Sequence, residues 1–254
     1  MLLAFGGALL VGLSLGLLGS GGSILTVPIL VYLVGEGEKE AIAESLGIVG
    51  AISLAGLIPY ALKKQVDWRS VFIFGLPGMA GTWIGALLAA YISGNLQLVI
   101  FAFIMILAAV LMIKDRSQSE KLSSGSKLQP WWMLSLEGLA VGIITGLVGV
   151  GGGFLIVPAL VIFAGLPIHL AIGTSLTIIA MKSITGFIKY LDVLSELELS
   201  VNWDLFIIFS LIGSAGSLAG KKIGSKISAV RLRKIFAFFL LIMGFYIMYM
   251  NIDL

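Results

Sequence analysis

The chain has 254 residues and a formal net charge of +3, with 59% hydrophobic and only 11% charged residues. A soluble domain of this length needs far more charge to cover its surface. The absence of cysteine excludes disulfides and thiol catalysis, and with a single histidine no zinc or haem constellation is visible. The composition predicts a multi-pass membrane protein.

Four apolar segments in each half of the chain predict helices that enter or cross a bilayer. In the first half they span residues 2–34, 41–62, 71–92 and 96–113. In the second half they span residues 131–164, 170–190, 205–219 and 235–252. The first segment of each half is longer than the roughly 20 residues that one crossing needs. Glycines interrupt the middle of both long segments, so each is expected to break.

The two halves are copies of one unit at an offset of 130 residues. The stretch GLSLGLLGSGGSILTVPIL from Gly12 matches GIITGLVGVGGGFLIVPAL from Gly142. After a five-residue insertion, VDW at 66–68 corresponds to VNW at 201–203. A repeat of this extent predicts duplicated architecture. We divide the chain into a first membrane repeat (1–113), a polar cytoplasmic linker (114–130) and a second membrane repeat (131–254).

Loop charges indicate how the halves are oriented. Basic residues concentrate in 63–69, 114–130 and 221–234, whereas 36–44 and 189–204 are acidic. The positive-inside rule places the first three in the cytoplasm and the other two outside. This order is consistent only if each glycine-broken segment is a hairpin that returns to its starting side. Three further crossings per half then make the halves inverted.

The expected fold is therefore an all-α polytopic membrane protein with two inverted repeats. Each repeat is a glycine-broken helical hairpin followed by three transmembrane helices. Inverted repeats are typical of transporters, in which two similar units rock about a central site. Duplication is also a simple way to build a bundle, so a scaffold remains an alternative.

The glycine breaks are the predicted substrate site. Broken helices are tolerated in a bilayer where they line a cavity or are buried in protein. Each break starts a new half-helix, whose N-terminal amide groups and dipole favour an anion. The candidates are Gly19, Ser20, Gly21, Gly22, Ser23, Gly149, Gly151, Gly152 and Gly153. Glycine clusters also serve as packing contacts, which is the preferred reading for the flanking Gly12, Gly16, Gly142 and Gly146.

Lys182 lies near the middle of its segment, where a charge indicates function by default. Hydroxyl side chains surround it on the same segment, at Thr174, Ser175, Thr177, Ser183 and Thr185. We predict substrate contacts from Lys182, Thr174, Ser175 and Ser45, which corresponds to Ser175. Pairing of Lys182 with Glu44 or Glu137 is the alternative. A proton-coupling role for either carboxylate stays open.

The two glycine motifs, IGTSL at 172–176 and the VDW element after a basic turn resemble the TauE/SafE sulfite-exporter-like family. That family is also called the toluene-sulfonate uptake permeases. The resemblance implies a prokaryotic-type secondary transporter, multi-pass in the cytoplasmic membrane, for sulfite, sulfonates or related organic anions. Ser23 stands opposite Gly153, so the two half-sites are not equivalent.

We expect a small anionic substrate and a lipid bilayer as partners, and no nucleic acid, cofactor or metal. A homodimer is left open. The chain contains no Walker motif, HExxH or GxSxG, so we expect neither ATP-driven transport nor an enzyme. The alternatives are a passive anion channel and an accessory membrane subunit.

The inverted topology is tested by cysteines introduced at positions 121, 194 and 226 of this cysteine-free chain. A membrane-impermeant thiol reagent should label them from the inside, the outside and the inside respectively. Labelling of 121 and 194 from the same side contradicts the inversion.

Overall fold

The computed structural model describes residues 2–18, 22–114, 130–162, 164–224 and 229–252, and its regular secondary structure there is helical. The first half contains α1 (Leu2–Leu18), α2 (Ser23–Val34, π-helical from Ile29), α3 (Glu38–Leu62), α4 (Trp68–Ala90) and α5 (Gly94–Lys114). The second half contains α6 (Trp131–Val148), α7 (Gly153–Ile162), α8 (Ile168–Glu196), α9 (Trp203–Gly224) and α10 (Ala229–Ile252). Helices α6 to α10 thus follow the same order as α1 to α5.

Several helices are long and apolar enough to cross a bilayer. Among the described residues these are Glu38–Leu62, Trp68–Ala90, Trp131–Val148, His169–Glu196 and Trp203–Gly220. Their length and hydropathy confirm the predicted all-α polytopic membrane fold. The inverted orientation of the halves in the bilayer stays a prediction.

Each long glycine-broken segment folds as two helices that form a hairpin. In the first half, Gly22 lies against Val11 and Leu15, while Gly7 near the start of α1 lies against Ile29. The chain therefore reverses direction and α2 runs back along α1. In the second half α6 ends at Val148 and α7 begins at Gly153. The predicted site residues Gly19, Ser20 and Gly21 lie outside the described residues.

The two halves pack reciprocally. Helix α1 packs on α9 and the corresponding α6 packs on α4, so each hairpin lies against the fourth helix of the other half. Helices α3 and α8 pack against each other, as do α5 and α10. Gly50 contacts Ile184 and Gly56 contacts Leu176, so α3 and α8 run antiparallel. Because α3 and α8 correspond to each other, this arrangement is that of two units exchanged by an approximate two-fold axis.

Small residues form the two reciprocal helix contacts. Gly12 of α1 lies directly against the backbone of Gly213 in α9, and Gly16 lies against Ser217. The corresponding pairs in the other interface are Gly142 with Gly78 and Gly146 with Thr82. Lipid tails are as apolar as the helices, so close packing of small residues is what holds helices together in a bilayer. The structure gives the flanking glycines the packing role expected of them.

Substitution of Gly12 by alanine should weaken the α1–α9 contact, because its methyl group would collide with the Gly213 carbonyl. Overpacking of this kind costs about 1–3 kcal/mol. The matched control is Gly6→Ala on the same helix, where a methyl group meets nothing within 4 Å. Thermal unfolding in detergent should show a lower midpoint for Gly12→Ala and no loss for Gly6→Ala. Equal midpoints for the two variants contradict the packing role.

Candidate anion site at the second glycine break

The second break is built on two glycines with left-handed backbone. Gly149 ends α6 with φ of 73°, and Gly152 precedes α7 with φ of 67°. Residues with a Cβ rarely adopt this region, so glycine lets the chain leave one helix and enter the next within a few residues. All four residues from Gly149 to Gly152 are buried.

Three backbone carbonyls at this break, those of Thr145, Leu147 and Gly149, accept hydrogen bonds. The Thr145 carbonyl accepts from the Gly149 N–H at 2.9 Å, and the Leu147 carbonyl accepts from Gln97 Nε2 at 2.6 Å. The Gly149 carbonyl accepts from the Ser45 hydroxyl. In contrast, the amide N–H groups of residues 151–153 have no hydrogen-bond acceptor within the described part of the chain. The break therefore presents donors whose partner must come from elsewhere.

The side-chain amine of Lys182 also lies at the second break. Its side chain on α8 is fully buried, and Nζ donates to the Thr145 hydroxyl at 3.2 Å. A Cβ added to Gly152 would lie 3.1 Å from Nζ, so the ammonium group is beside the break. The described residues contain one salt bridge, between Lys189 and Asp192, so Lys182 has no carboxylate partner among them.

A second unsatisfied group faces the break. The Ser183 hydroxyl is buried and has no hydrogen-bond partner among the described residues. A Cβ added to Gly151 would lie 3.2 Å from Ser183 Oγ. We call the cluster formed by Thr145, Gly151, Gly152, Lys182 and Ser183 the second-break site. Its polar groups are an ammonium, hydroxyls and backbone amides, which is the donor set of an anion site.

The first break is described in part. Gly22 and Ser23 are buried at the start of α2. Helix α2 packs on α3 and α7 packs on α8, and α2 also contacts α7. The second helices of the two hairpins thus meet in the interior. That both breaks share one ligand remains a prediction.

The remaining predicted hydroxyls have structural partners. Thr174 Oγ1 accepts from the Asp67 N–H at 2.9 Å and lies about 12 Å of helix rise from Lys182. The Ser175 hydroxyl donates to the Ile172 carbonyl at 2.9 Å. Ser45 positions the break through Gly149. These observations place Thr174 away from the second-break site, where Lys182 and the glycines come together.

Thr145 was absent from the predicted site residues, and Ser183 was noted only as a nearby hydroxyl. The repeat carries a signal for Ser183, since Ser53 occupies the corresponding position in α3 and is also buried without a described partner. The repeat carries no such signal for Thr145, because the corresponding residue in the first half is Leu15. Lys182 corresponds to Ile52, so the charge belongs to one half alone.

Two similar sets of helices around a buried polar site at a helix break define the class of polytopic membrane transporters. The chain belongs to the TauE/SafE family, since the family model described as "Sulfite exporter TauE/SafE" matches residues 4–247.

Three relatives are named probable membrane transporter proteins. The one from Xylella fastidiosa is 32% identical over 98% of this chain and 95% of its own length. The one from Methanocaldococcus jannaschii is 28% identical over 94% of both chains. YunE of Bacillus subtilis is 29% identical over 84% of this chain and 82% of its own. No solved structure matches the chain significantly.

Substitution of Gly152 by alanine should abolish ligand binding at the second-break site. The new methyl group would contact Thr145 Oγ1 and approach Lys182 Nζ. Gly35→Ala is the matched control, because Gly35 also has a positive φ of 88° but open space around it. Both variants carry a backbone cost of about 1–2 kcal/mol. A sulfite- or sulfonate-dependent thermal shift should persist in Gly35→Ala and disappear in Gly152→Ala; its persistence in both places the ligand elsewhere.

Proposed function

We propose that this chain is a secondary transporter of small sulfur-containing or organic anions, such as sulfite or a sulfonate, in the cytoplasmic membrane. The observation that carries the proposal is the second-break site. There the buried amine of Lys182 lies beside Gly152, and no described carboxylate pairs with it.

The electrostatics favour an anionic ligand. A buried charge without a counter-ion costs several kcal/mol, and burying an unpaired polar group adds to that cost. A bound oxyanion supplies both the missing charge and the missing acceptors. Its oxygens can accept from Lys182 Nζ, from the Ser183 hydroxyl and from amides at the start of α7.

The choice of sulfur oxyanions comes from the family. Its description names sulfite export, whereas the relatives carry no substrate in their names. Sulfite and sulfonates present three oxygens on one compact centre. Such a group matches a site whose donors come from a lysine, a hydroxyl and consecutive amides.

Alternating access is proposed as the transport mechanism. The antiparallel contact of the corresponding helices α3 and α8 supports it, because two such helices enter a bilayer from opposite faces. Gly50 of α3 contacts Ser183 and Ile184, so the second-break site lies next to the middle of this crossing. A rocking motion about the crossing would open the site to each side in turn.

The decisive variant is Lys182→Met, assayed in proteoliposomes by exchange of radiolabelled sulfite and of a labelled sulfonate. We expect saturable exchange in the native protein and an at least tenfold higher half-saturation concentration in the variant, equivalent to about 1.4 kcal/mol or more of lost binding. Lys182→Arg should retain part of the affinity because it keeps the charge.

Lys189→Met is the control, since Lys189 lies on the same helix but pairs with Asp192 at 3.2 Å. It should exchange like the native protein. Native-like affinity in Lys182→Met would remove the lysine from the site. The transporter proposal itself fails if the native protein moves no anion, with or without a pH gradient. Conductance that does not saturate identifies a channel instead.

A further inference from the structure

Glu44 is a second ionisable group buried inside the helix bundle. Its side chain on α3 has no exposed surface, and Oε1 accepts from the Asn202 N–H at 2.7 Å. Its other oxygen, Oε2, has no hydrogen-bond partner among the described residues. An ionised carboxylate here thus has one donor for two oxygens, which is costly in an apolar interior.

The same contact occurs a second time with a neutral hydroxyl as the acceptor. Thr174 Oγ1 accepts from the Asp67 N–H at 2.9 Å. Thr174 corresponds to Glu44 at the offset of 130 residues, and Asp67 corresponds to Asn202 through the VDW and VNW elements. Each contact ties the third helix of one half to the turn that begins the fourth helix of the other half.

Comparison of the two contacts shows whether a carboxylate is needed to hold the two halves together. A neutral hydroxyl is sufficient to hold the Thr174 contact, so fixing the halves together does not require a carboxylate. Because α3 and α8 are antiparallel and both contacts lie near the N-terminal ends of these helices, the two contacts lie at opposite ends of the bundle. At one end the group that accepts this hydrogen bond is therefore a carboxylate, whereas at the other end it is a hydroxyl and the Asp67 carboxylate accepts from the Ser70 N–H instead.

Glu44 is also connected to the second-break site. The next residue, Ser45, donates its hydroxyl to the Gly149 carbonyl, and Ile42 on the same helical turn packs against Gly149. A change in how Glu44 holds Asn202 therefore acts on the turn of α3 that supports the break. This is a direct structural path between a protonation site and the anion site.

Glu44 lies near two other carboxylates, and the lysine beside them bonds elsewhere. Glu36 and Glu40 act on it electrostatically, and Glu36 Oε1 accepts from the Asn202 side chain at 2.9 Å. The neighbouring cation, Lys39, donates to the Ala89 carbonyl at 2.7 Å. No described salt bridge involves Glu44, so no basic side chain neutralises it.

We propose that Glu44 is the proton-binding site that couples anion movement to a pH gradient. This inference rests on the proposed transport function. A proton from a hydronium ion forms an O–H bond at Oε2 and neutralises the carboxylate, which weakens the charge-assisted hydrogen bond between Oε1 and the Asn202 N–H. The O–H bond that breaks is that of the hydronium ion, which is left as water, and no other covalent bond changes in this step.

The test compares the native protein, Glu44→Gln and Glu40→Gln in proteoliposomes with radiolabelled sulfite. Two quantities are measured: exchange at equal pH, and accumulation driven by an imposed pH gradient. The native protein and Glu40→Gln should accumulate several-fold more sulfite with the gradient than without it. Glu44→Gln, which mimics the neutral carboxyl group, should retain measurable exchange but show no response to the gradient.

A retained pH response in Glu44→Gln overturns the inference, as does stimulation of the native protein by a sodium gradient but not by a pH gradient. Absence of exchange in the native protein is the separate outcome that removes the transport function itself. If Glu44→Gln does not fold, the proposal can still be tested on the native protein alone. A pH dye inside the vesicles should report a proton flux when sulfite is added, and a constant internal pH overturns the proposal.

Discussion

The structure depends on the requirement that backbone polar groups be satisfied where a helix breaks inside a bilayer. At the second break, Ser45 of α3 donates to the Gly149 carbonyl, and Gln97 of α5 and Tyr190 of α8 converge on the Leu147 carbonyl. These three helices must lie where they do for the break to be tolerated. Side chains from these helices thus satisfy the carbonyls of Leu147 and Gly149, which lie where the helix ends.

The second constraint is reciprocal packing. Each hairpin finds its closest partner in the other half, with glycines at 12 and 142 meeting the backbone of Gly213 and Gly78. Neither half can therefore bury its own hairpin alone. The contacts from Glu44 and Thr174 also join one half to the other. The halves are thus held together both by close packing along their helices and by single hydrogen bonds at their ends.

The sequence was sufficient to predict what depends on local pattern. Apolar length, the repeat and the central glycines predicted the helix breaks and the packing role of Gly12, and the position of Lys182 in its segment predicted a buried lysine. The sequence could not predict contacts between distant residues. Nothing near Thr145 indicates that it meets Lys182, 37 residues further along the chain. Thr174 was expected at the ligand because it lies on the helix of Lys182, but helix geometry separates the two by about two turns.

The difference between Lys182 and its counterpart Ile52 has an electrical consequence. In a carrier that exposes a central site to each side in turn, a protonated Lys182 would give the empty site one positive charge in the membrane field, whereas the site loaded with a monovalent anion would carry none. Moving one elementary charge across 100 mV corresponds to about 2.3 kcal/mol. The membrane potential would then act on the return of the empty carrier and leave the loaded step nearly unaffected. A single lysine that has isoleucine as its counterpart in the repeat would then make one half of the proposed transport cycle sensitive to voltage.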